Sequence, residues 1–332
     1  HGVFGQIEAD VMHHADVYLL IVTASIPFIA LYNGGAAVFR AMGNSEVSMK
    51  VSLLMNAINV SGNAILIYGF HCGTEGVAIP TLVSRFVAAF IIIKLLLKDK
   101  WTLHLKRTFR FNPDWSMIRK ILSVGIPNGL ENSMFQLGKV LVLSLVSTFG
   151  TYAIAANAVS NVITLFSILP GQAICLAVTT VIARCVGAGD YEQAKYYNKK
   201  LILLTHIGMA ITIFIVFITL PFILKVYNLS EAASEATRHI IWFHGFCAIL
   251  IWAESFTLPA TFRACGDAKA CMIISTVSMW IFRVGASYIL GKNLGLGVFG
   301  VWVAMIIDWA FRSLLFGIRY FSGKWKKHAL VS

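Results

Sequence analysis

The chain has 332 residues, of which 58% are hydrophobic and only 13% are charged, and its formal net charge is +12. A soluble globular protein carries about 25% charged residues, so this composition excludes one. The hydrophobic residues form long continuous runs, unlike the alternating segments of a transmembrane barrel. We therefore predict an all-α integral membrane protein. Its positive charge lies between the runs, where the partners are membrane lipids and not nucleic acid.

Nine of the hydrophobic runs reach the length of about 20 residues that a helix needs to cross a bilayer. The predicted spans lie near 17–39, 51–70, 77–97, 117–147, 152–183, 198–224, 239–262, 270–290 and 297–318. The fourth and fifth spans are long, and they contain Pro127 and Pro170. A proline inside a helix removes a backbone hydrogen bond, so both spans are candidates for kinks.

The most polar stretch, 94–120, separates the third span from the fourth and contains eight Lys or Arg against two Asp. Each basic residue at the centre of the hydrocarbon costs about 2.5–3.5 kcal/mol, so this stretch stays in water. The positive-inside rule places it in the cytoplasm, and alternation then puts 21 Lys or Arg inside and three outside. We predict a multi-pass protein of the plasma (inner) membrane with a cytoplasmic C-terminus.

A short motif occurs twice, as FRAMGN at 39–44 and FRACGD at 262–267. Six predicted spans separate the two copies, and an even number gives a parallel repeat about an axis along the membrane normal, as in some transporters. Three spans precede the motif span in the second copy and none in the first. We therefore expect a twelve-helix, two-lobe protein whose first three helices are absent from this sequence.

The repeat divides the chain into four parts. We predict the remainder of the N-terminal lobe, with three helices, at 1–97, and a cytoplasmic inter-lobe linker at 98–116. A C-terminal six-helix lobe follows at 117–321, and a cytoplasmic tail at 322–332.

Four stretches resemble the multidrug and toxin extrusion (MATE) family of antiporters. They are GIP at 125–127 with the following Leu130 and Glu131, FGT at 149–151 with AIAA at 153–156, PGQ at 170–172 leading to GAGD at 187–190, and the paired FRAxG motif. The resemblance implies two six-helix lobes that form a V around a central cavity. It also implies efflux of organic cations in exchange for protons or sodium, without another cofactor.

Ionisable groups at membrane depth are costly and are therefore candidates for functional residues. Six qualify: Arg85, Glu131, Lys139, Glu254, Arg283 and Asp308. Glu131 lies one turn after Pro127, and a carboxyl group in an apolar setting could bind and release a proton. The family has an acidic residue at the corresponding place, implicated in coupling-ion and substrate binding. The structural alternative is a solvated or internally paired carboxylate.

Lys139 lies eight residues after Glu131, on nearly the same helix face. It either pairs with a carboxylate and is released when an organic cation arrives, or forms a static ion pair between helices. Glu254 precedes the second motif and could bind a cation, although the family often has its acid two residues earlier, where this chain has Trp252. The ring of Trp252 could receive a cationic substrate, or it could simply pack.

The remaining candidates are gating or cavity residues. For Asp308 and Arg283, in the last two spans, the simplest expectation is a mutual salt bridge, and a gating role is the alternative. Gln172 follows Pro170 and Gly171, where an interrupted helix could line a cavity, so it could be a polar cavity group.

The FRAxG residues have a structural interpretation. Arg40 and Arg263 are expected at helix C-termini on the cytoplasmic face, beside lipid phosphates. Gly43 and Gly266 would permit the turns that follow. A role of this motif in the inward-facing gate is the alternative.

We predict a secondary active antiporter for multidrug (xenobiotic) efflux. It exports amphipathic organic cations in exchange for protons or sodium by alternating access, as a monomer. An alternative is a lipid-linked oligosaccharide flippase of the same superfamily, which would favour several cavity arginines, whereas the membrane-depth groups here are three basic and three acidic. Another is an inactive transporter fragment. No enzyme and no metal site are expected, since HxxxH, HExxH, GxSxG and CxxC patterns are missing from the sequence.

Overall fold

A computed structural model of the chain describes residues 9–105 and 113–328. These residues form helices joined by short turns, with no strand among them. The α-helices are α1 (Ala9–Ala24), α2 (Ile26–Ala41), α3 (Ser45–Ala64), α4 (Glu75–Leu96), α5 (Trp115–Ser147), α6 (Thr151–Gly187), α7 (Tyr191–Tyr227), α8 (Glu231–Trp252), α9 (Leu258–Ala264), α10 (Ala268–Ser278) and α11 (Gly297–Phe321). The predicted all-α fold class is confirmed.

Eight helical runs among the described residues are long and apolar enough to cross a membrane. They are Met12–Ala41, Ser45–Gly69, Glu75–Leu96, Thr151–Gly187, Tyr191–Tyr227, Glu231–Ala264, Ala268–Asn293 and Gly297–Phe321. Helix α5, the predicted fourth span, has 33 residues and is also long enough to cross. It is less apolar than the others, because it carries four charged side chains. The eight runs and α5 correspond to the nine predicted spans.

Local sequence signals explain where the helices begin and end. Asp114 and Asp190 cap α5 and α7: an Asp114 oxygen accepts from the backbone N–H of Ser116 at 2.9 Å, and one of Asp190 from that of Gln193 at 2.8 Å. The two motif glycines follow helix ends with positive φ, +81° at Gly43 and +86° at Gly266. The predicted turns at these glycines are confirmed.

Three of the spanning runs contain π-helical turns. They lie at Ile65–Gly69, at Ala253–Thr257 between α8 and α9, and after α10 at Met279–Gly285 and Tyr288–Asn293. A π-turn holds one extra residue per turn and rotates the side chains beyond it. Two functional candidates, Glu254 and Arg283, lie in such turns.

The chain divides into two compact units, 1–112 and 113–332. The division falls inside the predicted linker 98–116, of which 106–112 lie outside the described residues. In the first unit Phe39 and Ile92 are fully buried in a core formed by α2, α3 and α4. In the second unit one core surrounds Trp252, Trp302 and Trp309. A second core there contains Phe262 and Phe316.

Candidate functional site

The second unit contains a cavity of about 860 Å³, the size of a small-molecule site. Its wall comes from α5, α6, α8, α9 and α11 with the π-helical turns between them. The side chains on which its chemistry depends are aromatic, polar or basic: Phe135, Trp252, Phe256, Trp302, Trp309, Asn128, Asn161, Gln172, Lys139, Arg263 and Arg283. No Asp or Glu of the described residues lines it. Of the predicted cavity and gating residues, Gln172, Trp252, Lys139 and Arg283 all reach this wall.

Gly171 explains how Trp252 reaches the cavity. A Cβ atom at position 171 would lie 2.3 Å from Cζ3 of Trp252, so only glycine lets the indole ring lie against α6. Trp252 in turn stacks on Phe256, with the ring centroids 5.0 Å apart. The Pro170-Gly171-Gln172 sequence therefore allows close packing and also provides a polar cavity group.

Glu131 and Arg263 form a buried ion pair across the second unit. Both carboxylate oxygens of Glu131, on α5, lie 2.8 Å from Nη2 of Arg263, near the end of α9. The expectation that Arg263 faces lipid phosphates is wrong, because its guanidinium turns inward to this carboxylate. Arg40, its counterpart in the first unit, lies in the last turn of α2.

Glu254 is paired with His206, a residue that the sequence analysis missed. Nε2 of His206 lies 3.0 Å from Oε1 of Glu254, and Nδ1 lies 2.6 Å from the backbone oxygen of Ile249. Its other carboxylate oxygen, Oε2, is buried without a partner among the described residues. His206 lies in the middle of an apolar helix, 48 positions before Glu254, so no sequence pattern indicated that the two side chains would pair.

The contacts of His206 require a proton in this pair. A backbone carbonyl only accepts, so Nδ1 must carry a hydrogen. A bare Nε2 and an ionised carboxylate would both be acceptors, so a hydrogen must also lie between Nε2 and Glu254. The pair therefore holds one proton more than a neutral histidine with an ionised glutamate. Loss of that proton would break the 3.0 Å contact.

Asp308 is fully buried and is held by Ser278 and Arg312. Oδ1 of Asp308 accepts from the hydroxyl of Ser278 at 2.5 Å and lies 3.3 Å from Nε of Arg312. The predicted salt bridge between Asp308 and Arg283 is wrong, because Arg312 lies one turn further along the same helix and takes that place. The spacing of four residues between Asp308 and Arg312 was a signal for this pair.

Arg283 and Lys139 contact an aromatic ring and no carboxylate. The Arg283 guanidinium carbon lies 5.1 Å and the Lys139 nitrogen 5.0 Å from the ring centroid of Phe135. The pairing of Lys139 with a carboxylate, considered above, is absent from the described residues. In the first unit the remaining membrane-depth cation, Arg85, donates to the hydroxyl of Ser25 at 2.7 Å.

Comparison with known proteins agrees with this fold. A family model described as MatE matches residues 127–289. The chain is 26% identical to a protein named probable multidrug resistance protein NorM from Thermotoga maritima, over 100% of this chain and 72% of that protein. It is 27% identical to the uncharacterized transporter YisQ from Bacillus subtilis, over 95% of this chain and 70% of that one.

Solved structures share the same arrangement of helices. One, described as "Crystal structure of MATE in the bent conformation", has a TM-score of 0.85 and 20% identity, over 97% of this chain and 71% of that chain. A MOP superfamily transporter from Pyrococcus furiosus, described by the words "reverse polarity of binding pocket", has a TM-score of 0.83 and 21% identity, over 92% and 69%.

The spanning helices and the shared fold define the class as an all-α, multi-pass membrane protein. The chain is similar to the MatE family, whose model matches residues 127–289, and its motifs resemble those of the multidrug and toxin extrusion transporters.

Proposed function

We propose that this chain is a secondary active antiporter of the plasma membrane, with its C-terminus in the cytoplasm, that exports amphipathic organic molecules by alternating access. The names of its relatives support multidrug efflux. The cavity of about 860 Å³ supports a drug-sized substrate. The sequence predicts organic cations as the substrates, and this stays a prediction. The described part of the cavity wall, however, offers them three basic side chains and no acid.

Protons are the coupling ion that the geometry supports best, and the pair of His206 and Glu254 carries this proposal. The pair contains one exchangeable proton and joins α7 to the π-helical turn Ala253–Thr257. In an antiporter that proton would enter from outside, stabilise one conformation, and leave into the cytoplasm in the other. Only a difference in proton affinity between the two conformations can drive the exchange.

The π-helical turn connects the proton site to the cavity. Trp252 and Phe256 flank Glu254 in sequence and line the cavity, whereas the Glu254 side chain contacts α7. Breaking the bond to His206 removes a contact that holds this turn. A π-turn can convert to regular helix, which would rotate the two rings at the cavity wall. Coupling then passes through a backbone rearrangement, without competition between proton and substrate for one group.

Glu131 is the alternative coupling site, for protons or for sodium. Its two oxygens are occupied by Arg263, so an arriving ion would have to displace the guanidinium from both. Glu254, by contrast, has a free buried oxygen within the described structure. The two sites make different predictions for the same experiment.

The test is transport by the purified full chain in proteoliposomes, under an imposed proton gradient and then a sodium gradient. The substrates are cationic and anionic fluorescent amphiphiles. We expect Glu254→Gln and His206→Gln to reduce proton-driven transport at least tenfold. The matched control is Glu235→Gln, an exposed glutamate on α8, which should transport normally.

Four outcomes would contradict the proposal. Normal proton-driven transport by Glu254→Gln and His206→Gln would remove the proton site. Loss of transport in Glu131→Gln alone would show that the coupling ion binds at Glu131. Transport driven by the sodium gradient alone would identify the coupling ion as sodium. Failure of the unmodified chain with every substrate would mean that it is no transporter by itself.

A further inference from the structure

The membrane-depth charges of the second unit are unequally compensated. Three membrane-depth carboxylates each have a basic partner: Glu131 has Arg263, Glu254 has His206, and Asp308 has Arg312. Two further cations, Lys139 and Arg283, contact no carboxylate in the part of the chain that the structure describes. Both line the cavity. The wall therefore carries two positive charges that no carboxylate of the described residues contacts.

These two charges converge on one ring. Lys139 comes from α5 and Arg283 from the π-helical turn Met279–Gly285, yet both lie about 5 Å from the centroid of Phe135. The Arg283 guanidinium also donates to Sδ of Met305, at 3.1 Å, which is a weak acceptor. Most of the hydrogen-bond donors of the two side chains are thus unused. Lys139 is exposed and Arg283 partly buried on the cavity wall, so an acceptor that enters the cavity can reach both side chains.

A smaller cavity of about 250 Å³ adjoins this point and shares Lys139 and Arg283 with the larger one. Asn157 also lines it, and Oδ1 of Asn157 accepts from the indole N–H of Trp302 at 3.1 Å. Because the indole nitrogen only donates, the atom of Asn157 that it contacts must be the amide oxygen. The NH₂ group of Asn157 therefore remains available as a donor. The smaller cavity therefore presents donors from Lys139, Arg283 and Asn157.

We propose that the site binds amphipathic organic anions. The acid group, a carboxylate, sulfonate or phosphate, would lie between Lys139 and Arg283, with the apolar body against Trp302 and Trp309 in the larger cavity. This substrate class rests on the proposed transport function, and it replaces the organic cations predicted from the sequence. A cation in the same position would face two like charges, and no Asp or Glu of the described residues lines either cavity.

The test uses two probes with the same aromatic body and opposite charge, pyrenebutyrate and pyrenebutyl-trimethylammonium. Each is titrated into the purified full chain in lipid nanodiscs, without any ion gradient, and binding is read from energy transfer between tryptophan and pyrene. We expect the anion to bind at least tenfold more tightly than the cation. Raising the salt concentration should weaken binding of the anion more than binding of the cation, because salt screens the attraction between the anion and the basic side chains.

The variants assign this preference to the two side chains. Lys139→Gln and Arg283→Gln should each raise the Kd of pyrenebutyrate several-fold, and the double variant at least tenfold, with little change for the cation. Lys292→Gln, an exposed residue of the same spanning run as Arg283, is the control and should bind like the unmodified chain. Gel filtration and the unfolding temperature establish that each variant is folded.

An acid group could come from a soluble molecule or from a lipid, and competition distinguishes the two sources. Displacement of the probe by unlabelled butyrate-linked aromatics, and not by added phosphatidic acid, identifies a soluble anion. The reverse result identifies a lipid phosphate, which is the chemistry that the flippase alternative requires. Either result supports an anionic site.

Equal or tighter binding of the cation would overturn the proposal, and so would unchanged anion affinity in the folded double variant. Because binding is measured without a gradient, its outcome is independent of transport. Selective anion binding with no transport would refute only the antiport. Transport of cations alone, with no anion binding, would refute only the anionic substrate class.

Discussion

Glu131 and Arg263 are 132 positions apart in the chain, and their contact joins α5 to α9 beside the cavity. The guanidinium is mostly buried, and its Nε has no partner among the described residues, so Glu131 is its main counter-ion. Removing one member of such a pair leaves the other buried without compensation, which costs more than the pair contributes. The pair therefore constrains which single substitutions the second unit tolerates.

We expect Glu131→Gln to lower stability by about 1–3 kcal/mol, because the amide leaves the Arg263 charge unpaired. Replacing both residues, as Glu131→Gln with Arg263→Gln, should recover part of this loss, since no buried charge then remains. The measurement is the unfolding temperature of the purified protein in one detergent. A double variant less stable than either single variant would contradict this account of the pair.

At the scale of helices, the cavity depends on how closely α6 approaches the π-helical turn after α8. Gly171 allows Trp252 to lie against α6, and Trp252 stacks on Phe256 across that turn. The hydroxyl of Ser255 donates to the backbone oxygen of Trp309 at 2.6 Å and ties the turn to α11. A substitution at Gly171 should therefore reach the cavity without touching any charged group.

Gly171→Ala should displace the Trp252 ring from α6 into the cavity. A methyl group there would lie 2.3 Å from the indole, and overpacking of this kind typically costs about 1–3 kcal/mol. We expect a lower unfolding temperature and at least a tenfold loss of pyrene-probe binding. Gly187→Ala, at the end of the same helix, is the control, because a methyl group there meets nothing within 4 Å. Equal behaviour of the two variants would mean that Trp252 does not need this close approach.

The sequence predicted the helices better than the contacts between them. Runs of apolar residues and the glycines at 43 and 266 are local signals, so the spans and the turns were predictable. The π-helical turns were not, because an extra residue in one turn leaves hydrophobicity unchanged. The partners of Glu131 and Glu254 lie 132 and 48 positions away, and only the folded chain brings them together. For Asp308 we expected a partner on the preceding helix, Arg283, but its ion pair is with Arg312 on its own helix.

For the whole molecule, side-chain contacts agree with the charge asymmetry of the sequence. Arg319, at the end of α11, binds Asp267, in the turn before α10, at 2.6 and 2.9 Å. Lys326 lies 3.5 Å from Glu192, at the start of α7. The sequence places all these positions on the cytoplasmic side. The ring of Phe149 lies beside Gly291, two positions predicted on the opposite side.

These contacts lead to a prediction for membrane orientation. The ends of α7, α10 and α11 that meet at Arg319 and Lys326 should lie in the cytoplasm, where their positive charge faces anionic lipid. Green fluorescent protein fused after Ser332 should fluoresce, because it folds in the cytoplasm, whereas alkaline phosphatase at the same point should be inactive. Alkaline phosphatase inserted after Asn228, between α7 and α8, should be active. Phosphatase activity of the fusion at Ser332 would mean that every span has the opposite orientation to the one predicted. The positive charge would then lie on the outer side, and the direction of transport proposed for the cavity would have to be reversed with it.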